Sequence, residues 1–161
     1  MAGIPIYETP VLPAWIDYNG HVRDAYYGVI ASSACDALMD RLGIDAAYRA
    51  RTHCTLYTLE MHVHFLNEVK SSERVAVAVS LLGADAKRLH AGFTLTSAPS
   101  APAAATVEMM LLHVQQGARP AAAPFPPEVA ARIAALGAAA PAAGFGPGSR
   151  ALALRPAARS A

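Results

Sequence analysis

The densest run of groups able to do chemistry is Trp15-Ile16-Asp17-Tyr18-Asn19-Gly20-His21-Val22-Arg23-Asp24-Ala25-Tyr26-Tyr27. It stands where the pattern of the chain passes from extended to helical. The first turn of a helix has unpaired backbone N–H groups and the positive end of the macrodipole, so it stabilises negative charge. Gly20 lets the backbone approach a ligand closely. Asp17, just upstream, could face a carbon whose oxygen points at those N–H groups. Such a pair suits acyl transfer: a carboxylate as nucleophile or general base, and an oxyanion site for the tetrahedral intermediate. The same residues also suit a plain loop. Asp-x-x-Gly is a common turn, and Asn19 or Asp24 could cap the helix.

Other groups carry weaker signals. Glu60, His62 and His64 alternate on one strand face, a spacing that can present metal ligands. No fourth ligand is evident, so the expectation is a solvated or subunit-packed face and no metal. Cys35 falls in a helical pattern and Cys54 at a strand start; they form no CxxC pair and read as small buried hydrophobes in a reducing, cytoplasmic compartment. Asp36 and Asp40 share a helix face turned away from the apolar stripe and read as solvated. Trp15, Tyr18, Tyr26 and Tyr57 are enough rings for an aromatic cage around a quaternary ammonium, although aromatics at such spacings also serve as core.

The elements that must position these residues follow from periodicity. Residues 6–16 read as extended, with Pro10 and Pro13 excluding a helix. Tyr27, Ile30, Ala34, Leu38 and Leu42 recur at three and four, predicting one long helix over Asp24–Leu42 with Gly43 as its C-terminal stop. Residues 45–51 add a further helical turn. From Cys54 to Leu66 the period becomes two, with Tyr57, Leu59, Met61, Val63 and Phe65 on the apolar face. Val75 to Leu81 and Leu89 to Leu95 make two more strands. Thr106 to Val114 makes a fourth, apolar on both faces, as a central strand or a subunit interface would be. Glu128 to Leu136 reads as a short helix behind Pro127. The expected architecture is α+β: an antiparallel meander wrapped around one long helix.

Composition bounds the rest. The chain has 161 residues, 54% apolar and 16% charged, with a net charge of +1. No basic excess points to nucleic acid, and no apolar run is long enough for a membrane span. The N-terminus lacks the basic and apolar regions of a secretory signal. Alanine accounts for 37 residues, many of them late in the chain. Residues 137–161 are Ala, Gly, Pro, Ser and Arg with few large apolar groups and read as a disordered tail behind a domain of residues 1–136. A domain of that size with a strand apolar on both faces is expected to complete its core by oligomerising.

Asp17-Tyr18-Asn19-Gly20-His21-Val22, followed by Ala25 and Tyr27, resembles the D-x-x-G-H signature of the 4-hydroxybenzoyl-CoA thioesterase-like branch of the hotdog superfamily. The resemblance continues through Leu59–Leu66, Asp85–His90 and Glu108–Val114, and within the branch it is similar to the betainyl-CoA thioesterases of carnitine breakdown. It implies a hotdog fold, hydrolysis of an acyl-CoA thioester without metal or organic cofactor, and a homodimer, in some cases paired into a tetramer, with active sites at the subunit interface. It implies Asp17 as the catalytic carboxylate and Gly20, His21 and Val22 as the stretch whose amides polarise the thioester carbonyl. Trp15, Tyr18, Asn19, Tyr26 and Tyr27 would flank the acyl group and Glu60 would stand behind the site, while Lys87 and Arg88, which open the third strand, suit either the phosphates of coenzyme A or a solvated turn. Many relatives carry Asn-Asn or Asn-Val where this chain has Arg23-Asp24. A non-catalytic module that holds an acyl-CoA is the alternative.

Overall fold

The computed structural model describes residues 3–98 and 101–139. The elements in chain order are β1 (Ile4–Pro10), a single 3-10 turn (Pro13–Trp15), α1 (Asp24–Leu42), α2 (Ala46–Thr52), β2 (Cys54–Phe65), β3 (Arg74–Ala84), β4 (Arg88–Thr96), β5 (Ala103–Gln115), β6 (Ala121–Ala122) and α3 (Pro127–Ala139). The extended segment expected over 6–16 therefore stops at Pro10, because Pro13 starts a tight turn instead.

α1 has the predicted bounds. Tyr27, Ile30, Ala31, Ala34, Cys35, Leu38 and Leu42 form its buried stripe. Its small central residues let the sheet approach closely. It ends where Gly43 adopts a left-handed conformation with φ 77°, donating back to Asp40 and Met39 carbonyls through the helix-stop pattern. Its N-cap is Arg23, which gives no side-chain cap, so neither Asn19 nor Asp24 caps it. The Asp24 carboxylate instead accepts from the Ala25 N–H at 2.8 Å. Asp45 caps α2 by accepting from Tyr48 N–H.

The sheet runs β1-β3-β4-β5-β2, all antiparallel, with β6 beside β5. This departs from a simple meander: β2 pairs with β5 and not with β3. Residues 66–73, between β2 and β3, do not make a hairpin. They run past the N-terminus of α1, where Val22 N–H donates to Val69 O at 2.8 Å and His21 bridges Lys70. Val69 is fully buried there.

One sheet face and α1 share the core. Val77 and Val79, Leu89, Ala91, Phe93 and Leu95, and Val107, Met109 and Leu111 pack with the α1 stripe, and Val129, Ile133 and Leu136 of α3 close one end. β5 is interior and buried on both faces, as its composition predicts. The opposite sheet face carries a buried His90–Glu108 pair at 3.0 Å.

β2 is an edge strand. Its apolar face is only partly covered: Tyr57, Leu59, Met61 and Phe65 are exposed, Leu59 and Phe65 by about half. The pairing with β5 slips at Thr58/Glu60, a bulge that leaves Leu59 out of register. The half-buried strand expected here thus has only partial cover within one chain, from Tyr27 on Phe65 and from the core at Val63. α3 continues through Ala139, past the expected end of the domain at 136; the remaining residues of the expected tail, 140–161, lie outside the described residues. Among the described residues no helix is long and apolar enough to cross a membrane.

Candidate active site

The segment before α1 closes on itself. Asp17 N–H donates to His21 O at 2.9 Å and Gly20 N–H to Asp17 O at 3.1 Å. Gly20 takes φ 82°, a left-handed conformation that glycine reaches without strain. Inside this turn, Asp17 Oδ1 accepts from Asn19 N–H at 2.8 Å and His21 N–H at 3.3 Å. Desolvation pushes the carboxyl up, but those two N–H bonds and the positive charge of His21 and Arg23 outweigh it. The group sits below its ordinary value and is ionised at neutral pH. Its second oxygen, Oδ2, has no hydrogen-bond partner among the described residues. That is the state a nucleophile or general base requires.

The backbone amides are arranged differently from the expectation. Gly20, His21 and Val22 were expected to supply the N–H groups for a carbonyl oxygen. Each is already committed: Gly20 to Asp17 O, His21 to Asp17 Oδ1, and Val22 to Val69 O. Arg23 N–H donates to Trp15 O at 2.9 Å. Counting from Gly20 onward, the first N–H with no acceptor among the described residues is that of Asp24, the first residue of α1. Sequence reasoning pointed to the unpaired N–H groups at the start of this helix but named Gly20, His21 and Val22 and not Asp24. The only signal for it was its place as the first residue of the helix, where an orphan N–H is obligatory.

Beside that N-terminus lies a pocket of about 270 Å³. His21, Val22, Asp24 and Tyr27 line one side, and Phe65, Leu66, Asn67 and Glu68 the other. The second wall is held by N–H bonds from Leu66 and Asn67 to Ala104 O and by the Asn67 side chain donating to Ala103 O. Tyr27 and Phe65 meet edge to face with centroids 5.3 Å apart. Burial pushes the Tyr27 phenol up, and the nearby Glu68 and Glu73 charges push it further, so it stays protonated. His21 Nε2 lies 3.0 Å from Glu68 Oε2 across the rim.

The remaining expected residues divide into two groups. Trp15 and Tyr26 stack on each other, centroids 5.6 Å apart, outside the pocket. Tyr18 is 95% exposed and Asn19 is exposed on the turn. Trp15, Tyr18, Tyr26 and Tyr57 therefore do not form one cage within the chain; the rings at the pocket are Tyr27 and Phe65. Glu60, Lys87 and Arg88 lie elsewhere. Glu60 is exposed on β2, and Arg88 is bound to Asp85 through its guanidinium and backbone N–H. Arg88 pairs with Leu112 of β5 while Phe65 pairs with Ala105, so along β5 they are separated by roughly 23 Å.

Among the described residues no three His, Cys, Asp or Glu side chains are grouped to hold a metal ion, Glu60, His62 and His64 included. Burial pushes the Cys35 thiol up to about 12, which makes it inert as a nucleophile.

Comparisons with known proteins bear on this geometry. Residues 11–133 match the family model described as the thioesterase-like superfamily. A betainyl-CoA thioesterase of Pseudomonas aeruginosa is 52% identical over 130 residues, covering 81% of each chain. An L-carnitine dehydrogenase/betainyl-CoA thioesterase of Agrobacterium fabrum is 41% identical over 109 residues, 68% of this chain and 22% of that longer protein. Among solved structures, a candidate thioesterase of Pseudomonas putida KT2440 is 39% identical with a TM-score of 0.79, covering 98% of this chain and 99% of that one. A Staphylococcus aureus protein solved in complex with CoA is 27% identical with a TM-score of 0.83, covering 97% and 98%. By family match, relatives and hotdog architecture together, this chain belongs to the thioesterase-like superfamily.

Proposed function

We propose that this protein is a betainyl-CoA thioesterase, hydrolysing the thioester to glycine betaine and free coenzyme A. The observation that carries the reading is an ionised carboxylate, Asp17, in the turn that leads into a helix whose first N–H, at Asp24, has no acceptor. The identity with the Pseudomonas aeruginosa enzyme supplies the substrate. The carbonyl oxygen accepts from the Asp24 N–H, and the negative charge that develops on it is stabilised by the α1 dipole. Asp17 either adds to the carbonyl carbon through its free oxygen or takes a proton from an attacking water. In the first route the C–S bond breaks, coenzyme A leaves as thiolate, and water then hydrolyses the acyl–Asp17 anhydride and frees the carboxylate. In the second, the oxygen of water bonds to the carbonyl carbon and the C–S bond breaks directly. In both, the hydroxyl of water ends in the acid and its other proton goes to the thiolate. No metal or organic cofactor takes part. Two buried free cysteines suit the reducing interior of a cell.

The active unit is a homodimer formed along β2. The strand has an open edge, and its exposed Tyr57, Leu59, Met61 and Phe65 form an apolar strip of the kind that marks an interface. A second copy of β2 added antiparallel about a two-fold axis sets the partner's Tyr57 end beside this chain's Phe65 end. That brings the partner subunit's Lys87 and Arg88 towards the pocket, which one chain alone cannot do, and suits them to the phosphates of coenzyme A.

Thiol release from betainyl-CoA, butyryl-CoA and benzoyl-CoA tests the proposal. It expects turnover of betainyl-CoA well above the other two. Binding of acyl-CoA with no thiol released from any of them would replace the enzyme by a binding module.

A further inference from the structure

Resting on the thioesterase reading, we infer that the pocket at the start of α1 selects acyl groups that carry a fixed positive charge, and that Asp24 and Glu68 are the residues that select them. The pocket is small, about 270 Å³, and two carboxylate-bearing residues from different elements reach it. Asp24 opens α1, while Glu68 belongs to the β2–β3 connection. A carboxylate in the first turn of a helix is by itself only what the macrodipole favours. Glu68 is not explained that way. It is brought to the rim by the strand connection that also delivers Val69 to Val22, and His21 holds it there at 3.0 Å.

The rest of the wall combines the rings of Tyr27 and Phe65 and the apolar Val22 and Leu66 with the polar His21 and Asn67. Tyr27 and Phe65 meet edge to face. Ring faces flanked by carboxylates favour a quaternary ammonium: the rings attract it through their quadrupoles and the carboxylates through net charge, and neither requires a hydrogen-bond donor from the ligand. A carboxylate acyl tail would meet two like charges instead, and a neutral tail would gain nothing from them.

The chemistry of the ligand agrees with the spacing. In an ammonioacetyl thioester the cationic nitrogen is two bonds from the carbonyl carbon. A carbonyl oxygen held by the Asp24 N–H therefore leaves the ammonium within the small pocket that Asp24 and Glu68 both line. Trp15, Tyr18, Tyr26 and Tyr57 do not converge on this pocket; Tyr27 and Phe65, with two acids, line it.

The test compares betainyl-CoA with 3,3-dimethylbutyryl-CoA, in which a tert-butyl group replaces trimethylammonium at equal shape and no charge. The readout is the ratio of kcat/KM for the two substrates, which cancels any general loss of activity. The wild-type ratio favours the cation. Glu68→Gln lowers it about three-fold, the size expected of an exposed charge, and Asp24→Asn with Glu68→Gln lowers it about ten-fold or more. Should the double variant turn over neither substrate, Glu68→Gln, which leaves Asp24 and its N–H in place, decides the question alone. A ratio unchanged in Glu68→Gln and in any active double variant overturns the inference, as does a wild-type enzyme that prefers the neutral ester. Either result leaves the thioesterase reading standing. Absence of hydrolysis of both esters by the wild type defeats that reading itself.

Discussion

The Asp17 carboxylate accepts a hydrogen bond from the backbone N–H of His21 at 3.3 Å, within the same turn whose other bonds hold the two residues in place. This tie holds the acid charged. Because its folded value lies below the ordinary 3.8, Asp17 carries its charge throughout the neutral and mildly acidic range. Any stability it contributes is present above 3.8 and is lost only as the pH falls through the lower, folded value. The rate of thioester hydrolysis should therefore show no loss from Asp17 between pH 8 and about pH 5, with its acid limb below 3.8. A pH–rate profile with an acid limb centred between 5 and 7 that moves with Asp17 substitution would contradict this.

The Asp24 N–H can be removed with little harm to the helix. Proline is tolerated at the first helical position, and Arg23, at φ −63° and ψ 143°, already has the extended backbone that a following proline demands. Asp24→Pro should keep the helical circular-dichroism signal while kcat falls by about 100-fold, the usual worth of one oxyanion donor. Asp24→Asn, which keeps the N–H, should lose far less on a neutral acyl-CoA. Equal losses in the two variants would place the donor elsewhere.

Leu59 tests the dimer. It lies on the edge strand at the bulge, about half exposed, and a lysine there would blunt the edge as charged residues commonly do. Leu59→Lys should halve the mass measured by light scattering. It should also cut kcat/KM by about ten-fold or more, through loss of the charge-assisted contacts proposed for the partner's Lys87 and Arg88. A variant that stays dimeric, or a fully active monomer, would argue against a composite site.

Tyr48 and His113 form a buried contact of 2.8 Å that serves the fold. His113 Nδ1–H donates to Ala123 O at 3.0 Å, so Nε2 is the acceptor and the Tyr48 hydroxyl the donor. Tyr48→Phe leaves a fully buried ring nitrogen unsatisfied, at a cost of about 1–3 kcal/mol. Denaturant unfolding should register the loss, with activity per folded molecule unchanged.

Much of this molecule was legible because local patterns determine it. The stripe from Tyr27 to Leu42 and the glycine behind it define α1 to the residue, and β5, apolar on both faces, is interior as expected. What escaped depends on contacts between distant segments. Periodicity shows that β2 exists but not that it pairs with β5, since that depends on residues 66–73 passing the start of α1. The alternation in β2 marks an apolar face without saying whether this chain or another covers it. The partners of the expected amide donors escaped for a related reason. Gly20, His21 and Val22 carry the motif, but their N–H groups have partners in the turn and at Val69, and only a full accounting of hydrogen bonds exposes Asp24. The expected aromatic cage came from clustering in sequence, whereas Trp15 and Tyr26 pack on each other and Phe65 arrives from β2.

The central claim is that Asp17 performs the chemistry. Thiol release from betainyl-CoA by wild type and Asp17→Asn, with folding checked by circular dichroism and thermal melting, tests it most directly. The account predicts a fall in kcat of about 100-fold or more in a variant that remains folded. A folded Asp17→Asn enzyme that turns over betainyl-CoA at the wild-type rate would contradict it.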